Sequence, residues 1–187
     1  AILPDTLRPD AFSLGRNLAS TPGDVVFENQ LFQLIQYRPA TESVHQNPIL
    51  LIPAFVNRFY ILDLSGEYSM VRWLVDQGHT VFLMSWINPT EMLAPYDMTH
   101  YVLDGGLAAL DQIDRMLPRT RTQLMGYCAG GVIATLLTAW LKARGEDRIA
   151  SLSLLTTLLD YSDPGPLGQF VSAETIESLR KPLTEMG

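Results

Sequence analysis

The one cysteine of this chain, Cys128, stands at the centre of Gly126-Tyr127-Cys128-Ala129-Gly130. A short apolar run precedes the pentapeptide, and the uncharged stretch Val132 to Leu141, helical in pattern, follows it. A nucleophile between two glycines, at the passage from strand to helix, is the layout of a nucleophile elbow with a thiol in place of the commoner hydroxyl. Each part has a physical purpose. A sharp, strained turn lifts the sulfur above the sheet. Gly126 and Gly130 lack side chains because strand and helix nearly touch there. The backbone N–H of Ala129, with the helix N-terminus behind it, then faces a developing oxyanion and a thiolate. The plain structural alternative is a buried cysteine between two unrelated glycines.

An acyl-transfer site needs a second oxyanion donor, an acid and a base. Pro53-Ala54-Phe55-Val56-Asn57 follows the end of an apolar run, where folds with such an elbow place the second N–H. Asn57 is a candidate to orient that loop or to contact substrate, with a turn-stabilising role as the alternative. Asp63 precedes the nucleophile, against the hydrolase order of nucleophile, acid and histidine, and reads as a structural loop or helix cap. His45, His79 and His100 also all precede Cys128. His79 occupies a turn position after Gly78, His45 lies in a polar loop, and His100 borders a loop that could approach the site.

The elements that must position these residues alternate between strand and helix. Leu31 to Tyr37, Ile49 to Ile52, Val81 to Met84, Thr122 to Met125 and Ile149 to Leu155 read as strands. Tyr68 to Gln77 reads as a helix stopped by Gly78, with Val71, Leu74 and Val75 inward. Leu103, Leu107, Leu110, Ile113 and Leu117 follow helical spacing, with Asp104, Asp111 and Asp114 directed away and Pro118 at the exit. Val132 to Ala143 forms the helix leaving the elbow, closed by Gly145. Trp86 to Thr99, carrying Pro89 and Pro95, reads as a loop over the top of the sheet. Continuous apolar strands between helices imply a mostly parallel sheet covered on both faces, an α/β class to which an α/β-hydrolase core conforms.

Composition bounds the partners. The chain has 187 residues, 47% of them hydrophobic, enough for one domain with a substantial core. A net charge of −7 and a pI of about 4.8 argue against nucleic acid as a partner. A lone cysteine rules out a disulfide framework within the chain and suits a reducing compartment. Pro4, Asp5, Arg8 and Asp10 interrupt any N-terminal signal pattern. Thr122 to Leu141 is uncharged and long enough to span a bilayer, but its glycines fall where a strand, a turn and a buried helix need them. No metal-binding cluster is expected.

A series of blocks extends over most of the chain. Leu14-Gly15-Arg16-Asn17-Leu18-Ala19, Val25-Val26-Phe27-Glu28-Asn29 and Leu34-Ile35-Gln36-Tyr37-Arg38-Pro39 come first. Asn57-Arg58-Phe59-Tyr60-Ile61-Leu62-Asp63-Leu64, Gln77-Gly78-His79-Thr80-Val81-Phe82 and Ser85-Trp86-Ile87-Asn88-Pro89 follow. The cysteine elbow and Leu154-Leu155-Thr156-Thr157-Leu158-Leu159-Asp160 complete it. In this order they resemble the polyhydroxyalkanoate synthases, particularly the single-subunit type acting on short hydroxyacyl chains.

The resemblance implies an acyltransferase that polymerises 3-hydroxyacyl-coenzyme A through a thioester on Cys128 and releases coenzyme A, with no separate cofactor. Ala129 and either Phe55 or Val56 would supply the oxyanion N–H groups. The growing polyester, the granule surface and a second copy in a homodimer would be the partners, in the cytoplasm. Residues 1–48 would be leading strands, 49–160 the core with the elbow, and 161–187 the approach to a cap. The chain is thus expected to be the N-terminal part of one catalytic domain, cut before the cap and the C-terminal strands. In the family the acid and histidine come well downstream, so the triad partners of Cys128 are expected to be absent and this piece alone inactive. A cysteine-dependent esterase or thioesterase of the same fold, or a non-catalytic subunit, are the competing readings.

Overall fold

The computed structural model describes residues 11–163 together with 165, 168, 175, 177 and 178. The expected cap approach, 161–187, therefore lies mostly outside the described residues. Six strands form one sheet: β1 (Gly23–Glu28), β2 (Phe32–Tyr37), β3 (Ile49–Ile52), β4 (Val81–Trp86), β5 (Thr122–Tyr127) and β6 (Ile149–Leu155). Their spatial order is β1-β2-β4-β3-β5-β6. The β4-β3-β5-β6 portion is parallel, and β1 and β2 run antiparallel at one side.

β3 and β4 are buried on both faces along nearly their whole length, as parallel strands between helical layers are, whereas β5 alternates buried and half-buried residues and β6, at the edge, is half-buried or exposed. Side chains alternate across the sheet with the two-residue period of a strand. Leu50, Ile52, Phe82, Met84 and Leu124 enter one core, with Leu110, Ile113, Ile133, Ala134, Leu137 and Leu141 from the helices on that side. Ile49, Leu51, Val81 and Leu83 enter the other, beneath Val71, Leu74 and Val75 of α1 (Met70–Asp76). Ser69 caps α1, its hydroxyl accepting from the N–H of Arg72 at 2.9 Å. Gly78, at φ 82°, turns the chain out of α1 towards β4.

Two sequence expectations need correction. The segment Trp86 to Thr99 is not all loop. β4 continues through Trp86, a 3-10 turn covers Glu91–Leu93, and the short α2 (Met98–His100) begins within it. The helix expected from Leu103 to Leu117 is not one regular helix either. It opens with π-helical winding over Tyr101–Leu107 and becomes α3 at Ala108–Met116. The physical reason lies in Gly105 and Trp86. A Cβ on Gly105 would stand 2.8 Å from the Trp86 ring, so the wider winding and the bare glycine accommodate the indole.

Asp111 and Asp114 do point away from the core, and they clamp Arg148 at 2.6 and 2.8 Å, tying α3 to the approach of β6.

Candidate active site

The uncharged run from Thr122 to Leu141 divides at Cys128 into β5 and α4 (Ala129–Ala143). Among the described residues no helix is long and apolar enough to cross a membrane. Helix α4 starts at Ala129, three residues earlier than periodicity alone places it, because the glycines belong to its first turn. Cys128 sits between strand and helix with φ 53° and ψ −125°, in a region that L-residues rarely occupy. Backbone strain of this kind costs of order 1–3 kcal/mol and persists only where the surroundings enforce it. Cys128 is exposed, the placement an attacking sulfur would need.

The enforcement is steric. A Cβ on Gly126 would overlap the Cα of Gly131 and stand 2.8 Å from its nitrogen. A Cβ on Gly130 would overlap the Ile52 carbonyl oxygen and stand 2.6 Å from that of Pro53. The two elbow glycines thus bring the start of α4 against its own strand and against the end of β3. Ala129, the first residue of α4, has an N–H for which the helix offers no acceptor, pointing from a positive helix terminus.

The contact at Gly130 also fixes the second loop. Ile52 pairs with Gly126, so β3 and β5 end level. Three residues beyond Ile52, and two beyond Gly126, the chain reaches Phe55 and Cys128 respectively, at the same end of the sheet. Ala54 to Asn57 form a turn closed by the Asn57 N–H donating to the Ala54 carbonyl at 3.0 Å. Phe55 and Val56 occupy its two central positions, where N–H groups are not used by the turn. Val56 is 76% exposed, while the Phe55 ring packs on Tyr101 at 5.1 Å.

Trp86, which sequence reasoning noted only within a block and as the start of a loop, supports this turn. Its buried indole N–H donates to the Pro53 carbonyl at 2.8 Å, and its ring packs on Tyr101 at 5.3 Å. The available signal was a tryptophan ending a buried strand at the carboxyl edge of a sheet, where α/β folds place their sites.

Asp63 is structural, as its position in the chain order indicates. It is 1% exposed and accepts from the Thr21 hydroxyl at 2.7 Å and the Ser69 hydroxyl at 2.6 Å. It thereby joins the N-terminal segment to the cap of α1. Burial, reinforced by the Asp63 carboxylate, pushes the Tyr37 hydroxyl far above the usual phenol range.

The histidines have other partners. His100 Nδ1 lies 2.8 Å from Asp97, whose carboxyl this contact holds below its ordinary value, and its ring packs on Tyr96. His45 and His79 pack on each other at 4.5 Å, where His45 is tied to the Gly78 turn at the opposite end of β4 from the elbow.

A family described as the N-terminus of poly-beta-hydroxybutyrate polymerase (PhaC) matches residues 2–74. The chain is 47% identical over 161 residues to a poly(3-hydroxyalkanoate) polymerase subunit PhaC of Cupriavidus necator, covering 86% of this chain and 27% of that protein. It is 40% identical over 177 residues to a poly(3-hydroxyalkanoate) polymerase of Methylorubrum extorquens, covering 95% and 29%. Among solved structures, a fungal esterase of Rhizomucor miehei superposes with a TM-score of 0.55 at 15% identity, over 85% of this chain and 53% of that one. That likeness establishes the α/β-hydrolase fold and nothing about substrate. The chain spans less than a third of the length of these curated relatives, and over most of its own length it is similar to the poly(3-hydroxyalkanoate) polymerases.

Proposed function

We propose that Cys128 is the acyl-accepting nucleophile of a polymerase that builds polyester from 3-hydroxyacyl-coenzyme A. The observation that carries this reading is the strained, exposed cysteine on a glycine-walled elbow, level with the turn at Phe55 and Val56. A general base removes the thiol proton, and the thiolate adds to the thioester carbonyl. Negative charge gathers on the carbonyl oxygen, where the Ala129 N–H and an N–H of Phe55 or Val56 stabilise it by about 3 kcal/mol per donor. The carbon–sulfur bond to coenzyme A breaks, coenzyme A leaves as its thiol after taking up a proton, and the acyl group remains on Cys128. The 3-hydroxyl of the acyl group or chain end then gives its proton to the base and attacks the carbonyl of the next thioester, whose carbon–sulfur bond breaks to release the thiol with that proton, and the chain grows by one ester. Thiolate is both a good nucleophile and a good leaving group, so exchange between thioesters is nearly balanced in energy.

The base and its acid partner are proposed to lie outside these 187 residues, because no histidine follows Cys128 in the chain order the fold requires. The chain alone is then expected to release little coenzyme A. Asn57 is proposed as a substrate contact, since its backbone already closes the oxyanion turn. No separate cofactor enters this scheme. Placement at a polyester granule in the cytoplasm, as a homodimer, is the proposed setting.

The test is to incubate the full-length protein with labelled 3-hydroxybutyryl-coenzyme A and map the acylated peptide. Label on Cys128, lost in Cys128→Ala, is the expected result. Label elsewhere, or full activity in that variant, would sink the reading. Cys128→Ser should fold and lose most turnover, because an alkoxide is far harder to generate than a thiolate.

A further inference from the structure

The elbow is held from a side that the reaction scheme above does not use. Tyr127 and Leu155 form the last rung between β5 and β6. Immediately beyond that rung both strands kink into the left-handed region, Cys128 at φ 53° and Thr156 at φ 48°. Two strained, non-glycine residues side by side require neighbours that over-determine them. The Cys128 N–H donates to the Leu155 carbonyl at 2.9 Å. The next residue, Thr157, directs its hydroxyl at the same junction, 3.3 Å from the Cys128 carbonyl oxygen and 3.2 Å from that of Leu155.

Thr157 also occupies the space that Gly131 leaves open. A Cβ on Gly131 would overlap the Thr157 hydroxyl and stand 2.7 Å from its methyl carbon. The Gly131 N–H donates to the Cys128 carbonyl at 2.9 Å. That carbonyl is therefore gripped by α4 on one side and faced by Thr157 on the other.

The Cys128 carbonyl and the Ala129 N–H belong to one planar, trans peptide unit and point in opposite directions. Whatever fixes the carbonyl fixes the direction of the N–H. We propose that Thr157 is a positioning residue, whose hydroxyl holds the Cys128 carbonyl and thereby aims the Ala129 N–H at the oxyanion. Thr157 touches no reacting atom. Its effect falls on steps that pass through a tetrahedral oxyanion and not on the nucleophilicity of the sulfur. The proposal rests on the acyl-transfer reading of Cys128 but not on the identity of the acyl donor.

The experiment compares full-length wild type, Thr157→Val and Thr157→Ser in two reactions of Cys128. One is the acylation burst with p-nitrophenyl butyrate, which forms an oxyanion. The other is alkylation by iodoacetamide, a direct displacement at carbon that forms none. Thr157→Val keeps the packing on Gly131 and should slow the burst about tenfold, the scale of one weakened oxyanion donor or hydrogen bond. Its alkylation rate should stay within about twofold of wild type over the whole pH profile. Thr157→Ser should restore most of the burst.

A wild-type burst in Thr157→Val would overturn the proposal. So would equal losses in burst and alkylation, which mark general damage to the elbow, and so would a serine variant as slow as the valine one. A burst that responds as expected, in a protein that makes no polyester, would uphold the role of Thr157 and defeat the polymerase reading.

Discussion

Gly130 lies so close to Ile52 that a methyl group on its Cα would overlap the Ile52 carbonyl oxygen. This contact joins the helix that begins beside Cys128 to the strand that leads into the Ala54 to Asn57 turn. Neither partner can yield cheaply, since one is the first turn of α4 and the other the end of a fully buried strand.

Gly130→Val should therefore destabilise the full-length protein by several kcal/mol, about what a strained overpacked site costs, or abolish acylation of Cys128, or both. Thermal unfolding and the p-nitrophenyl butyrate burst measure the two effects. A soluble, fully active valine variant would show that strand and helix are not in close contact here.

Trp86→Phe retains an aromatic ring against Tyr101 and Gly105 but removes the donor to the Pro53 carbonyl. A buried carbonyl without its partner costs about 1–3 kcal/mol. Unfolding should shift by that amount, and kcat should fall several-fold with little change in KM as the Phe55–Val56 turn loosens. Unchanged kcat and stability would mean that the indole hydrogen bond does not hold the turn.

Asp63→Ala should lower stability by about 2–4 kcal/mol, because the Thr21 and Ser69 hydroxyls are left without their acceptor. Denaturant unfolding reads this loss. The alkylation rate of Cys128 should be unaltered, since Asp63 braces the N-terminal segment and α1. A selective loss of thiol reactivity with normal stability would assign Asp63 to the catalytic machinery instead.

His79 supplies a pH dependence. Burial, with the neighbouring His45 second, lowers its pKa, and its Nδ1 is buried without a hydrogen-bond partner. The unfolded chain then binds a proton more readily than the folded one. The contribution of neutral His79 to stability is present above the unfolded value of about 6.5 and is lost as pH falls from there through the lower folded value. Denaturation midpoints between pH 7 and 5 should drop less in His79→Gln than in wild type. Equal drops would locate the acid sensitivity elsewhere.

The sequence by itself determined the main strands and helices and the sharp turn at Cys128. Ile49 to Ile52 and Ile149 to Leu155 are strands with the limits read from their apolar runs; the first is buried on both faces as a central parallel strand, and the second lies at the edge of the sheet, half-buried or exposed along its length. The glycines around Cys128 likewise announced a tight turn, since only a missing side chain permits that approach. Local pattern ended where partners distant in the chain decide the outcome. The π-helical opening at Tyr101 depends on the Trp86 ring meeting Gly105. The antiparallel side of the sheet depends on β2 pairing with β4, over 40 residues away in sequence. The role of Asp63 depends on Thr21, and the seat of Cys128 on Thr157 and Leu155. Each of these is a contact between groups that have no periodic relation in the chain, so only the packed tertiary structure brings them into register.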